Sequence, residues 1–377
     1  MRLTELKLRD FRTYEELVFR PGQGLNLLVG DNAQGKSNLL EAIHLLAITR
    51  SLRAGKETEM IRHKAPFAVI SAEITKEKEN DARLDVTLFQ MEKKLLRING
   101  SRHNRVLDLL GILNVIFFGA LDLGIVSAEP SIRRRYLNLE ISQISPKYVY
   151  DLADCKKSLE QRNRLLRDLR ERPVRDSGLE AWNEQLIKNG VPIIHKRKFF
   201  IDSLAPLVEE IHRELTGGRE TLILKYLPSV PIEAGADIET ISQSFRAGIA
   251  RLAQDELRRG ATLIGPQRDD IQFFINGMDA RTYGSQGQQR TVILSLKLAE
   301  FRLMEEYVGE SPVMLLDDVM SDLDDERRSQ LLQWIRGRCQ TFLTSTNIRA
   351  IPPDILSTAA IYRVENGIIT LEKGSGD

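Results

Sequence analysis

One stretch constrains the fold more than any other. A compact apolar run, 25-LNLLV-29, ends in 30-GDNAQGKS-37, and a helical apolar pattern with Leu39, Ile43 and Leu46 on one face follows it. The eight residues fit the spacing G-x-x-x-x-G-K-[ST], in the strand-then-helix setting that this spacing requires. The glycines let the backbone wrap so that its N–H groups point at phosphate oxygens, aided by the helix N-terminus. Gly30, Asp31, Asn32, Ala33, Gln34, Gly35, Lys36 and Ser37 are therefore candidate ATP-binding residues. Lys36 is placed to reach the β- and γ-phosphates, and the Ser37 hydroxyl to ligate Mg²⁺.

A phosphate loop of this kind needs a carboxylate near the metal. The run 313-VMLLDD-318 supplies one, as an apolar strand that ends in two acids. Asp317 is the expected metal-side residue, and Asp318 stands one residue later, where it would polarise an attacking water. In 321-SDLDDERR-328 a helix begins, with Ser321 or Asp324 as its cap.

The stretch 283-YGSQGQQR-290 holds no acid, base or nucleophile. Ser285 and Gln288 fit a capping box before a helix whose Val292, Leu296, Ala299 and Leu303 share a face. Gly287 does not fit a first helical turn. It makes sense where something approaches the backbone closely, so the stretch reads as a second seat for a phosphate.

Between these motifs the patterning divides the chain. Residues 67–99 alternate as antiparallel strands, and Asn99-Gly100, Asn276-Gly277 and Asn366-Gly367 each offer a hairpin turn. From 145 to 260 the pattern is mostly helical. Apolar positions 152, 155, 159, 166 and 169 follow helical spacing, with Arg162 at the missing step, and Pro173 is expected to stop that helix. A second helical stretch runs from Trp182 to Ile211, where Pro192 and Pro206 are expected to kink or divide it. The expected architecture is thus an α/β head built from 1–144 and 261–377, carrying a helical lobe over 145–260.

Taken together and in order, 6-LKLRDFRTY-14, 30-GDNAQGKSNLLEAI-43, 265-GPQRDD-270, 284-GSQGQQRT-291, 295-SLKLAE-300 and 315-LLDDVMSDLD-324 resemble the heads of ABC-type P-loop ATPases. Within that group they are most similar to the RecF family of bacterial DNA replication and repair proteins. The resemblance spans nearly the whole chain. It implies an ABC-type head with a mixed sheet and an antiparallel subsheet. It implies ATP on Gly30–Ser37, Mg²⁺ on Ser37 and Asp317, and a weak, Mg²⁺-dependent and DNA-dependent ATPase using Lys36 and Asp318. Ser285, Gly287 and Gln288 would meet the γ-phosphate of ATP held by a second subunit, which makes the protein an ATP-dependent homodimer. Asp324 would lie in a loop crossing the same interface. DNA that is single-stranded, gapped or duplex is the implied substrate, and RecR and RecO are the implied partners in recombinase loading and the SOS response.

The sequence departs from the family pattern in places. Ser37 stands where threonine is usual and Gln267 where histidine is common. No histidine follows 341-TFLTST-346, which leaves Thr346 as the candidate switch residue.

DNA contact needs basic surface, and the net charge is only +1. Between Cys155 and Arg175, however, eight basic residues face three acids. Of these, Arg162, Arg164, Arg167 and Arg170 are the candidate phosphate contacts, with 133-RRR-135 and 196-KRK-198 beside them. No aromatic residues interleave them, so backbone contact without sequence reading is the expected mode.

The two cysteines make no disulfide framework, and there is no membrane-length apolar run. A cytoplasmic protein without membrane contact is expected. A transporter-coupled ATPase shares the motifs, but the charged insert argues against it. A long-armed chromosome-organising ATPase needs more heptads than the insert offers. A scaffold that uses ATP only as glue remains open, with the acid pair favouring hydrolysis.

Overall fold

The structure is a computed structural model that describes residues 1–51, 54–78, 80–172, 178–233, 235–348 and 351–374. The chain opens with β1 (Arg2–Phe11), β2 (Tyr14–Phe19), β3 (Leu25–Val29), α1 (Lys36–Ile48), β4 (Phe67–Thr75), β5 (Ala82–Phe89), β6 (Leu95–Ile98), β7 (Ser101–His103) and β8 (Val115–Gly119). A middle section follows: α2 (Leu123–Ser127), α3 (Pro130–Ile144), α4 (Lys147–Glu171), α5 (Leu179–Leu215), β9 (Leu222–Leu227), α6 (Ile238–Arg259), β10 (Asp270–Ile275), β11 (Met278–Asp279) and α7 (Ala280–Tyr283). The last section holds α8 (Gln286–Val308), β12 (Val313–Asp317), α9 (Asp325–Ile335), β13 (Thr341–Ser345), α10 (Pro353–Thr358), β14 (Ala360–Glu365) and β15 (Ile368–Lys373).

Two compact units result. The first joins Met1–Leu123, Glu214–Gly217 and Gln286–Asp377; the second joins Gly124–Arg213 and Gly218–Ser285. The inserted unit is therefore wider than the expected 145–260. It takes in α3 at one end and a three-stranded sheet, β11-β10-β9, at the other. Pairing explains the second shift: β10 bonds antiparallel to β9 from Asp270↔Leu227 to Ile275↔Leu222, so it cannot belong elsewhere.

The first unit contains two sheets among its described residues. One is antiparallel, in the order β2-β1-β4-β5-β6-β7. The other has the order β15-β14-β3-β13-β12-β8, in which β14, β3, β13, β12 and β8 run parallel and β15 pairs antiparallel at the edge. A mixed α/β head with an antiparallel subsheet is thus observed as expected. Parallel strands are covered on both faces, which is why β3 and β12 read as compact, largely apolar runs and all five residues of β13 are buried. The same crowding encloses α1 and α8. From Leu39 to Ile48 every residue of α1 is buried, as is every residue of α8 from Thr291 to Phe301, not one face alone. Lys297 on α8 is satisfied inside by Asp122 at 3.2 Å and Glu300 at 3.1 Å.

All three Asn-Gly turns form. Asn99, Asn276 and Asn366 have φ of 51°, 49° and 51°, and the following glycines have φ of 80°, 81° and 77°, the paired left-handed geometry of tight hairpins. Pro192 and Pro206 lie inside α5, which runs as one helix of 37 residues rather than dividing. Helix α4 ends at Glu171; Pro173 and Arg175 fall outside the described residues. None of the described helices is long and apolar enough to cross a membrane.

Candidate functional site

Every residue expected in the phosphate loop lies between the end of β3 and the first turn of α1. Two of them adopt left-handed backbone: Ala33 at φ 64° and Gly35 at φ 115°. Gly30 and Gly35 are required by close approach as well. A Cβ on Gly30 would sit 2.3 Å from the Val364 carbonyl oxygen, and one on Gly35 would sit 2.8 Å from Thr13 Oγ1. The Tyr14 hydroxyl, fully buried, donates to the Gly35 carbonyl at 3.0 Å, and burial pushes the Tyr14 phenol far above its ordinary range.

Lys36 rests its ammonium on the carbonyl oxygens of Gly30 and Asp31, each at 2.6 Å. Burial lowers its pKa, while the charges of Asp318, Asp31 and Asp317 pull it back up. Beside it, the Ser37 hydroxyl donates to Asp317 Oδ1 at 2.6 Å, which joins two residues 280 apart in sequence. Parallel pairing brings this about, because β12 and β3 flank β13 and all three end on the same side.

A second hydroxyl on Asp317, absent from the sequence reading, completes the group. Thr344 on β13 donates to Asp317 Oδ1 at 3.0 Å and accepts the Asp318 N–H at 2.8 Å. Its signal was a polar residue inside the buried strand 341-TFLTS-345. Thr346, the expected switch residue, lines a cavity of about 430 Å³ with Gly30, Asp31, Gln34, Arg363 and Asn366. Asp317 is buried and Asp318 is exposed, with Asp318 in left-handed backbone at φ 56°. A non-glycine residue held there is strained, and such strain concentrates at functional positions.

The stretch from Ser285 stands where a helix opens. Ser285 directly precedes α8, and Gly287 and Gln288 lie in its first turn. Gly287 is exposed, and its carbonyl accepts the Thr291 hydroxyl at 2.9 Å. Arg327 ties this turn to the loop after β12: its Nε donates to Thr291 Oγ1 at 2.5 Å, and its backbone N–H donates to Asp324 Oδ1 at 2.9 Å. Asp324, not Ser321, caps α9. Burial opposes the Asp324 charge, but the Arg327 N–H and guanidinium hold its carboxyl below the ordinary range.

The basic candidates separate. Arg164, Arg167 and Arg170 are exposed on α4 at three-residue spacing, which places them on one face. Arg162 does not join them. It is 1% exposed and bonds Asn183 at 2.8 Å, Thr262 at 2.8 Å and Glu256 at 2.6 Å. The apolar spacing already held the signal, since Arg162 occupies the missing step of the buried face.

In the flanking basic runs Arg135 is exposed, but the other residues are committed elsewhere. Arg133 forks onto Asp270 at 2.6 and 2.9 Å, and Arg134 donates to the Asp269 carbonyl at 2.9 Å. Arg197 is buried on Asp269, Tyr148, Asn138 and the Pro266 carbonyl. Lys196 pairs with Asp151, and Lys198 with Asp202. The 265-GPQRDD-270 stretch is therefore a structural knot within the second unit.

Comparisons with known proteins cover nearly the whole chain. Residues 2–370 match the model of the RecF/RecN/SMC N terminal domain. The DNA replication and repair protein RecF of Halalkalibacterium halodurans is 43% identical over 367 residues, covering 97% of this chain and 98% of that one. A solved structure of the recombination mediator protein RecF-ATPrS in the RecFOR pathway superposes with a TM-score of 0.91 at 32% identity, covering 99% of this chain and 98% of that chain. The Smc head domain of Pyrococcus furiosus shares the fold, with a TM-score of 0.57 at 16% identity and coverage of 99% and 96%.

Proposed function

The chain belongs to the RecF family of DNA replication and repair proteins, and from that premise we propose that it is an ATP-gated DNA-binding dimer of the recombination-mediator type. The observation that carries the reading is the junction of Ser37, Thr344 and Asp317 beside the Lys36 ammonium. It puts a cation, two hydroxyls and a carboxylate at the mouth of a helix N-terminus, the set a nucleoside triphosphate needs.

Lys36 holds its charge on two main-chain carbonyls, a seat that phosphate oxygens replace without leaving a buried carboxylate unpaired. Ser37 and Asp317 offer hard oxygen donors of the kind Mg²⁺ takes, and they would hold it against the phosphates. Bound there, the ion neutralises phosphate charge. Thr344 fixes the rotamer of Asp317 and the backbone of Asp318 together. Asp318, exposed and one residue on, is left to orient and deprotonate the attacking water. An aspartate reaches less far than a glutamate, which accords with slow hydrolysis.

Ser285, Gly287 and Gln288 present a helix opening that would close over the nucleotide of a second copy. Closure would clamp DNA against the exposed α4 arginines, and hydrolysis would reopen the dimer. The proposed setting is the cytoplasm, on gapped or damaged DNA, with RecR and RecO in recombinase loading and the SOS response. The test is steady-state hydrolysis and equilibrium ATP binding in the presence of Mg²⁺ and DNA. Asp318→Asn should lower kcat by about 10²- to 10⁴-fold, the usual worth of a general base, while ATP still binds. Wild-type turnover in that variant contradicts the assignment.

A further inference from the structure

We infer that the Asn366–Gly367 turn, between β14 and β15, is a positioning device for the phosphate loop, so that nucleotide affinity depends on the bonds that this turn makes to the loop. The inference rests on the reading of residues 30–37 as the nucleotide site. The Gln34 carbonyl accepts the Gly367 N–H at 3.1 Å, and Gln34 Oε1 accepts the Asn366 N–H at 2.7 Å. One residue of the loop is thus held at both its main chain and its side chain by a turn more than three hundred positions away.

The turn is itself wedged in place. A Cβ on Gly367 would lie 2.7 Å from the Thr13 carbonyl oxygen, and the backbone there has φ of 77°. Next to Thr13, Tyr14 donates to the Gly35 carbonyl. Upstream, Gly30 lies so close to the β14 backbone that no side chain fits between them. The loop is therefore gripped by the turn between β1 and β2 and by the turn between β14 and β15.

Such a grip has a function because Ala33 and Gly35 are in left-handed conformation. An alanine does not choose that state unaided, and the bonds from the turn join those of Lys36 in keeping the loop in this shape. Coupling of this kind is reciprocal. If the turn orders the loop for nucleotide, bound nucleotide must in turn hold the Asn366 and Gly367 amides more firmly.

The experiment combines hydrogen exchange of the 360–370 segment with calorimetric ATP affinity in Mg²⁺, on the full chain. Gln34→Ala removes one bond whose donor is exposed to water; affinity should fall about 3- to 10-fold with the urea midpoint unmoved. Gly367→Ala, outside the loop, should weaken binding at least as much. The exposed control Thr370→Ala should bind as wild type. In wild type, ATP should slow exchange at the turn, and in Gln34→Ala it should not. Wild-type affinity in both Gln34→Ala and Gly367→Ala, or turn exchange indifferent to ATP, overturns the proposal. Lys36→Ala separates the two readings. If it binds ATP as wild type does, the nucleotide site itself is wrong. If it alone loses binding, only the role of the turn is wrong.

Discussion

Lys36 and Arg162 are both cations removed from solvent, 7% and 1% exposed. Lys36 lies on the carbonyls of Gly30 and Asp31, whereas Arg162 is fixed by Asn183, Thr262 and the Glu256 carboxylate. In the first arrangement neutral main-chain oxygens hold the charge, and a ligand's oxygens can take their place. In the second a buried carboxylate neutralises it, and displacing it would strand an ion in a medium that penalises ions severely. The difference separates a site from a strut: one cation is poised, and the other is consumed. A charged residue type in a sequence does not distinguish them, but the partner atoms do.

The contrast can be broken most forcefully at Arg162. Arg162→Ala leaves Glu256 buried without its partner, and stability should fall by about 3–5 kcal/mol. Urea denaturation measures this; a loss below about 1 kcal/mol would return Arg162 to the surface candidates. The exposed arginines should behave in the opposite sense. Arg164→Glu with Arg167→Glu should weaken binding to gapped duplex and reduce the salt slope by about 0.9 for each phosphate contact removed. The urea midpoint should stay put, because both side chains are exposed. An unchanged gel shift across a salt series would remove this face of α4 from the DNA surface.

The smallest effect concerns the second unit's buried thiol. Burial pushes Cys155 up to about 12 from its ordinary 9.0. Its folded pKa is the higher one, so its contribution to stability is whole below pH 9.0 and fades as pH rises towards about 12. Native Cys155 should accordingly resist a thiol reagent at pH 8 and react only at the rate of unfolding. Fast labelling of the native protein would contradict its place on the buried face of α4.

Much of the fold was legible because its signals are periodic or stereochemical. The run LNLLV could only be a strand covered on both faces, and each Asn-Gly pair marked a tight turn. The strand-to-helix loop, the strand ending at the acid pair and the helix start after Ser285 were legible as structure from signals equally local. What stayed hidden depends on long-range pairing. Thr344 matters because β13 lies between β3 and β12, and no local pattern records strand order. Gln34 meets Asn366 through two ends of the chain. The boundary at 145 was misplaced because α3 is committed to the second unit by Arg133 and Asp270, an ion pair between distant residues. Arg162 was misread by weighing its charge above its position in the apolar spacing.

The most direct measurement is molar mass by light scattering, with and without ATP and Mg²⁺, on the wild type and on Ser285→Arg. Ser285 stands exposed immediately before α8, so an arginine there should leave the subunit folded and block only the approach of a second nucleotide site. The expected result is a monomer that becomes a dimer with ATP in the wild type and stays a monomer in Ser285→Arg. A wild type that ATP never dimerises, or a Ser285→Arg variant that dimerises equally well, would contradict a phosphate seat shared between two chains.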